Sequence, residues 1–154
     1  EFFSEYALMK YRVIVEIEYF LFLNEKRFFK LSAKAKQQLK QVAENFSLDD
    51  AQQIKHIEAT TNHDVKAVEY FLKQQLEKAG TLDAKEWIHF GLTSQDINNT
   101  SIPLSWKHCM ENEYLPSVIN SMSICITSPF STFLIRFTIS ANLHTITTYH
   151  SHIL

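Results

Sequence analysis

Only two glycines occur in the 154 residues of this chain, and no other feature limits its fold so strongly. Ordinary usage near 7% would give about eleven. Tight turns draw on glycine for backbone shapes that other residues avoid. A turn-rich all-β architecture is therefore disfavoured. A Rossmann dinucleotide fingerprint and a P-loop each need several glycines close together, so both are excluded.

Apolar residues make up 45% of the chain and charged residues 21%, which points to a globular fold rather than disorder. The length suits one domain with a real core. A net charge of −2 creates no strong field, so nucleic acid is not a favoured partner. Cys109 and Cys125 fit no metal or disulfide spacing. They read either as free thiols of a reducing compartment or as small core hydrophobes. The chain opens Glu1-Phe2-Phe3, without the basic region and apolar run of a signal peptide, and reads as a sequence entered partway along. The apolar stretch Tyr19 to Leu23 is far short of the ~20 residues of a membrane span. A cytoplasmic protein is expected, with no membrane partner.

Charge is distributed unevenly. All 17 acids lie between Glu1 and Glu113, and 14 of the 15 bases lie between Lys10 and Lys107. From Ser123 to Leu154 the only formal charge is Arg136. That stretch holds neither helical periodicity nor clean alternation over its length. The chain is therefore expected to divide into a coherent body, 1–122, and a foreign or out-of-frame, poorly ordered tail, 123–154.

The body reads as helices. Ser32 can cap a helix with Ala35, Leu39, Val42, Ala43 and Phe46 on one face. Ser47 and Asp50 resemble a capping box before Ala51, Ile54 and Ile57. Val65, Val68, Leu72 and Leu76 follow at helical spacing, and Gly80 suits a left-handed helix end. Asp83 and Glu86 look like a cap pair before Trp87, Ile88 and Phe90, with Gly91 as the break. Ser94 can cap a further helix through Ile97, Leu104 and Trp106 toward Leu115, with kinks or restarts allowed at Pro103 and Pro116. The first segment is ambiguous: Val13, Val15, Ile17 and Tyr19 alternate, yet Tyr6, Met9, Val13, Ile17 and Phe20 fit a buried helix. Its length favours helix, so the fold class is all-α.

Two polar clusters interrupt this pattern. Thr60-Thr61-Asn62-His63-Asp64 lies where one helix ends and the next begins. Unpaired N–H groups at a helix start suit an anion, and an imidazole beside them can donate a hydrogen bond or move a proton. The plainer alternative makes Asn62 or Asp64 an N-cap and His63 a surface residue. The second cluster runs from His89 to Thr100, a Gly91 turn followed by the hydroxyls of Thr93 and Ser94. It can hold a carboxylate or phosphate; alternatively, Thr93 or Ser94 caps a helix and Asn98 and Asn99 face solvent. His56, His108, His144, His150 and His152 show no ligand spacing beyond the His150-x-His152 pair. No metal site is expected, no Ser-His-Asp arrangement follows from the spacing, and the carboxylates read as solvated helix faces.

At these clusters the chain resembles the adenylosuccinate lyases of the fumarase/aspartase superfamily. The likeness is carried by Ile57-Glu58-Ala59-Thr60-Thr61-Asn62-His63-Asp64-Val65-Lys66-Ala67-Val68-Glu69-Tyr70-Phe71-Leu72 and by Ile88-His89-Phe90-Gly91-Leu92-Thr93-Ser94-Gln95-Asp96-Ile97-Asn98-Asn99. Phe3-Ser4-Glu5-Tyr6 and Glu113-Tyr114-Leu115-Pro116 fit the same family in the same order. The resemblance covers nearly all of 1–122 and implies the family's N-terminal helical domain. It implies β-elimination of fumarate from adenylosuccinate to give AMP, and from the succinyl-carboxamide ribotide, with no metal or organic cofactor. It also implies a homotetramer with active sites shared among subunits. Residue by residue, Asn62, His63 and Asp64 match a substrate-binding segment, His63 an accessory catalytic histidine, and Thr93 and Ser94 a second binding segment.

Other parts of the family pattern are missing. The family's main general acid is a His in Thr-His-Gly-Gln-Pro; this sequence offers only Leu143-His144-Thr145, and His144 does not inherit the role. The serine of Ser-Ser-x-Met-Pro-x-Lys and the early Gly-Arg-Tyr motif are also absent. The resemblance thus implies a catalytically incomplete fragment. One alternative is a non-catalytic helical interaction module derived from the same domain; another is a different lyase of the superfamily. Truncation is expected to leave Phe20, Phe22, Trp87 and Trp106 partly exposed and to lower solubility.

Overall fold

A computed structural model describes residues 2–127, without the side chains of Leu82 and 124–127. The described residues are helical, as the sequence pattern requires, and contain no β-strand. They fall into two compact units divided after Cys109.

The first unit is built on α1, Glu5–Glu25. Ser4 caps it, its Oγ accepting from Ala7 N–H at 3.1 Å. The helix packs against α2 (Ala33–Glu44), α3 (Leu48–Thr61), α4 (Asp64–Lys78) and α5 (Ser94–Cys109). With neighbours on several sides, it is apolar around much of its circumference. That is why its sequence reads almost equally well as alternating strand and as buried helix: a helix apolar around most of its circumference has no broad polar face to reveal its period. Val13, Ile17 and Phe20 of α1 meet Leu39, Ile54, Val68, Phe71, Leu72 and Leu76 in one core. Each large side chain contributes about 1.5–3 kcal/mol by leaving water, as an upper estimate.

The helix ends follow local chemistry. Ser32 caps α2 through Ala35 N–H, 3.1 Å. Ser47 and Asp50 form the reciprocal box at α3: Ser47 N–H donates to Asp50 Oδ2 at 2.9 Å and Asp50 N–H to Ser47 Oγ at 3.2 Å. Phe46, expected on α2, lies beyond its end yet is buried. At the end of α4, Gly80 takes φ +71°. Its N–H bonds Glu77 O and the Thr81 N–H bonds Leu76 O, the paired closure of a Schellman motif.

Two expectations change here, at the Asp83–Glu86 pair and at Phe20. Asp83 and Glu86 do not cap a following helix; they lie inside a short 3₁₀ helix, Leu82–Trp87, whose preceding Thr81 makes no side-chain cap. Glu86 turns instead to Lys73 of α4, 3.4 Å away. Pro103 lies inside α5 without ending it. Phe20 is fully buried under α2 and α4 core residues and the Phe29 ring, whereas Phe22 and Trp106 are about half exposed and Trp87 is half-buried.

The second unit, as far as it is described, is a π-helical turn, Met110–Tyr114, and α6, Leu115–Thr127. Pro116 is the second residue of α6, directly after the π-helical turn, and having no N–H it donates no bond to that preceding turn. Helix α6 extends through 123–127, so the first residues of the expected tail are helical; residues 128–154, with His144, His150 and His152, lie outside the described residues. No helix among the described residues is long and apolar enough to cross a membrane.

Candidate active site

The two polar clusters meet. Asn62 ends α3 in a left-handed conformation, φ +50°, its N–H bonded to Glu58 O at 2.8 Å. Asparagine tolerates that shape better than most residues. One residue later the chain re-enters helix, and the N-cap of α4 is His63, not Asn62 or Asp64. His63 Nδ1 accepts the Lys66 N–H at 3.2 Å. An accepting Nδ1 carries no proton, so the neutral ring holds its proton on Nε2. That nitrogen lies 3.4 Å from Ser94 Oγ on α5. The half-exposed imidazole therefore presents an N–H donor beside a hydroxyl.

Thr93 immediately precedes α5, and it is the Asp96 carboxylate that closes this helix start. Thr93 N–H and Oγ1–H both donate to Asp96 Oδ2, at 2.7 and 2.8 Å. These bonds hold the Asp96 carboxyl below its ordinary range. Ser94 becomes the first residue of α5, beside the leading N–H groups of that helix.

Asp64 is held from behind. Its Oδ1 accepts the Val65 N–H at 2.8 Å, and its Oδ2 pairs with Arg12 Nη2 at 2.6 Å. Partial burial pushes its carboxyl up, but Val65 N–H, the Arg12 charge and His63 outweigh it, and the net shift is downward. Buried Arg12 also donates from Nε to Asn98 Oδ1, 3.0 Å, so one guanidinium of α1 ties the start of α4 to α5. One turn further along α1, Glu16 is completely buried, with Oε1 2.5 Å from His89 Nδ1. Burial raises the Glu16 carboxyl pKa, partly offset by the His89 contact.

Ser94, His63 and Asp64 superficially suggest a hydrolytic triad, but the geometry does not support one. His63 Nδ1 and Asp64 Oδ1 are 3.7 Å apart, beyond a hydrogen bond, and Nδ1 is occupied by Lys66 N–H. With its proton on Nε2, the ring donates toward Ser94 instead of drawing a proton from it. The arrangement suits donation to a ligand anion, not activation of a serine.

Of the five residues singled out in the sequence, His63 and Ser94 come together and Asp64 stands behind them, while Asn62 and Thr93 shape helix ends. Sequence reasoning missed Arg12, Glu16, His89 and Asn98. Their signal was present: two charges four residues apart in the middle of an apolar helical run call for buried partners. Asn98, expected at the surface, is partly buried on Arg12, and Glu69, expected to be solvated, is buried between Lys66 and Lys73. Among the described residues no group of three His, Cys, Asp or Glu side chains is placed to hold a metal ion.

In sequence, the chain is similar to known lyases. A lyase family model matches residues 10–124. The chain belongs to the lyase family. It is 50% identical over 129 residues to adenylosuccinate lyase from Dictyostelium discoideum, covering 79% of this chain and 28% of that protein. It is 48% identical over 123 residues to the Vibrio cholerae adenylosuccinate lyase, covering 77% and 27% respectively. For the Escherichia coli K12 enzyme the identity is 45% over 119 residues, covering 74% and 26%. The chain thus spans about a quarter of the length of these relatives. The expected all-α lyase fold and the resemblance to adenylosuccinate lyase both stand.

Proposed function

We propose that this chain supplies part of the substrate site of an adenylosuccinate lyase. That enzyme eliminates fumarate from adenylosuccinate to give AMP, and from the succinyl-carboxamide ribotide. The observation that carries the reading is the approach of His63 Nε2 to Ser94 Oγ, 3.4 Å, from segments 31 residues apart. An Nε2–H, a hydroxyl and the leading N–H groups of α5 converge there, and all of them donate to an anion. The substrate is rich in carboxylate and phosphate groups, and charge builds on a carboxylate as the proton beside it leaves.

Asn62, His63, Asp64, Thr93 and Ser94 are assigned to substrate binding, with His63 also assisting proton movement. The general acid and general base of the elimination are not assigned to any residue here, since neither proton-transfer motif occurs in the sequence. The chain on its own binds and orients; it does not turn over. In this reading the complete enzyme is a cytoplasmic homotetramer, and 123–154 is foreign to the lyase body.

Titration of the 154-residue chain with adenylosuccinate, followed by ring nitrogen resonances of the histidines, tests the reading. His63 is expected to move and His56, on the exposed face of α3, to stay. Fumarate release by the isolated chain is expected to be undetectable. Movement of His56 with a silent His63, or steady fumarate release, would overturn the assignment.

A further inference from the structure

Glu16 is out of place on any account that stops at folding. It is fully buried in the middle of α1, and its Oε2 has no hydrogen-bond partner among the described residues. A buried carboxylate with an idle oxygen is unfavourable, and an apolar residue would fill the space at lower cost. Its other oxygen contacts His89 Nδ1 at 2.5 Å. His89 is itself unusual: it is not glycine, yet it sits at φ +59° in the left-handed region. The contact therefore holds a strained residue five positions before Ser94. Within the same short loop Gly91 has φ +72°, and the Leu92 N–H bonds His89 O at 3.3 Å.

Arg12 lies one turn before Glu16 on α1. It holds the other side of the site, through Asp64 at the start of α4 and Asn98 on α5. From opposite charges on one buried face, α1 thus reaches both segments that carry His63 and Ser94. Tyr19, one turn after Glu16, adds a second hold on the loop, its hydroxyl donating to Phe90 O at 3.0 Å.

We propose that Glu16 and Arg12 are positioning residues: through His89 on one side and Asp64 and Asn98 on the other, they set Ser94 Oγ against His63 Nε2. The inference rests on the reading that His63 and Ser94 form the substrate site, and it adds residues that never touch the ligand. Glu16 orders the 88–93 loop so that α5 begins at Ser94, and Arg12 locks the incoming end of α4 against the same helix. The unpartnered oxygen of Glu16 is tolerated because the loop geometry it secures is needed elsewhere.

The test uses the 154-residue chain and no substrate, so its outcome is independent of the lyase assignment. Wild type, Glu16→Ala and Glu16→Gln are compared well below their melting temperatures. In wild type the His89 Nδ1–H proton resonates far downfield, and the His63 ring shows a through-space contact to the Ser94 β-protons. In Glu16→Ala both signals are lost, and amide exchange at Gly91 to Thr93 accelerates by about tenfold or more. Glu16→Gln keeps an acceptor oxygen and restores the His63–Ser94 contact. Arg12→Met gives a second route to the same loss, from the α4 side. A Glu16→Ala chain that melts earlier but keeps the His63–Ser94 contact and slow loop exchange would reduce Glu16 to a structural role and overturn the proposal. Failure of the lyase reading would show differently, as a His63 ring that ignores adenylosuccinate while these signals behave as described.

Discussion

Helix α1 buries two charges one turn apart, and the two ends of this short stretch solve the same problem differently. At Arg12 the guanidinium is enclosed while its partner Asp64 stays half in solvent, and each side gains further bonds, to Asn98 and to Val65 N–H. At Glu16 the carboxylate is enclosed, its partner His89 is mostly buried, and one oxygen goes unsatisfied. The carboxyl pKa shifts follow: Asp64 lies below its ordinary value, while burial lifts Glu16 above its own. A buried charge with a full set of partners supports the fold; one with an incomplete set taxes it and has to be explained by what it holds in place.

The largest effect is expected from removing the open partner of the satisfied pair. Asp64→Ala leaves Arg12 buried with only Asn98 as a hydrogen-bond acceptor. Broken buried pairs cost about 3–5 kcal/mol, and the solvent exposure of Asp64 reduces this to about 2–3 kcal/mol. Urea titration of both chains measures it. Glu16→Ala is expected to cost only about 1 kcal/mol, because the lost His89 bond is offset by the released burial penalty. A Glu16→Ala loss as large as that of Asp64→Ala would erase the contrast between the two pairs.

Acid sharpens the comparison, because the two carboxyls titrate with opposite sign. The folded pKa of Asp64 is below its unfolded value, so its stabilisation is full above about pH 4 and is lost as pH falls through the lower folded value. The stability gap between wild type and Asp64→Asn should therefore close below about pH 4. The folded pKa of Glu16 is above its unfolded value, so its contribution is most favourable in acid and is lost as pH rises through the folded value. Stability of Glu16→Gln relative to wild type should thus improve on going from about pH 4 toward neutrality. Melting temperatures of the three chains across this range give both slopes. The smallest effect belongs to the third charge pair of α1, Glu5 with Lys55, 2.7 Å apart and exposed. Lys55→Ala is expected to leave the melting temperature unchanged within error, and both acid slopes intact.

The helices with one polar face were legible in the sequence because their apolar spacing and serine caps are local signals. Ser32, Ser47 with Asp50, and Gly80 all act at the ends where their chemistry points. What stayed hidden was tertiary. The strand-like alternation of α1 reflects neighbours on several sides, and no local rule names the partners of Arg12 and Glu16 or shows that Glu69 is enclosed. The site was half legible. His63 and Ser94 stood out as polar breaks between helices, and their resemblance to a lyase was carried by the adjoining residues. Their approach depends on a helix cap. On α4 the cap is His63 itself, its Nδ1 taken by the Lys66 N–H, which leaves Nε2 toward Ser94, the first residue of α5. Arg12 and Asn98, 86 residues apart, are joined only by the packing of α1 on α5.

The central claim is that the His63–Ser94 pair belongs to an adenylosuccinate-cleaving site, and turnover in a complete enzyme tests it most directly. The matched stretch of this chain, 79% of its length, can replace its counterpart in the Dictyostelium discoideum adenylosuccinate lyase, with fumarate release as the assay. The chimera is expected to cleave adenylosuccinate, and His63→Ala within it to lower kcat by about 10²–10⁴-fold while the melting temperature holds. An active chimera whose kcat is indifferent to both His63→Ala and Ser94→Ala would contradict the account.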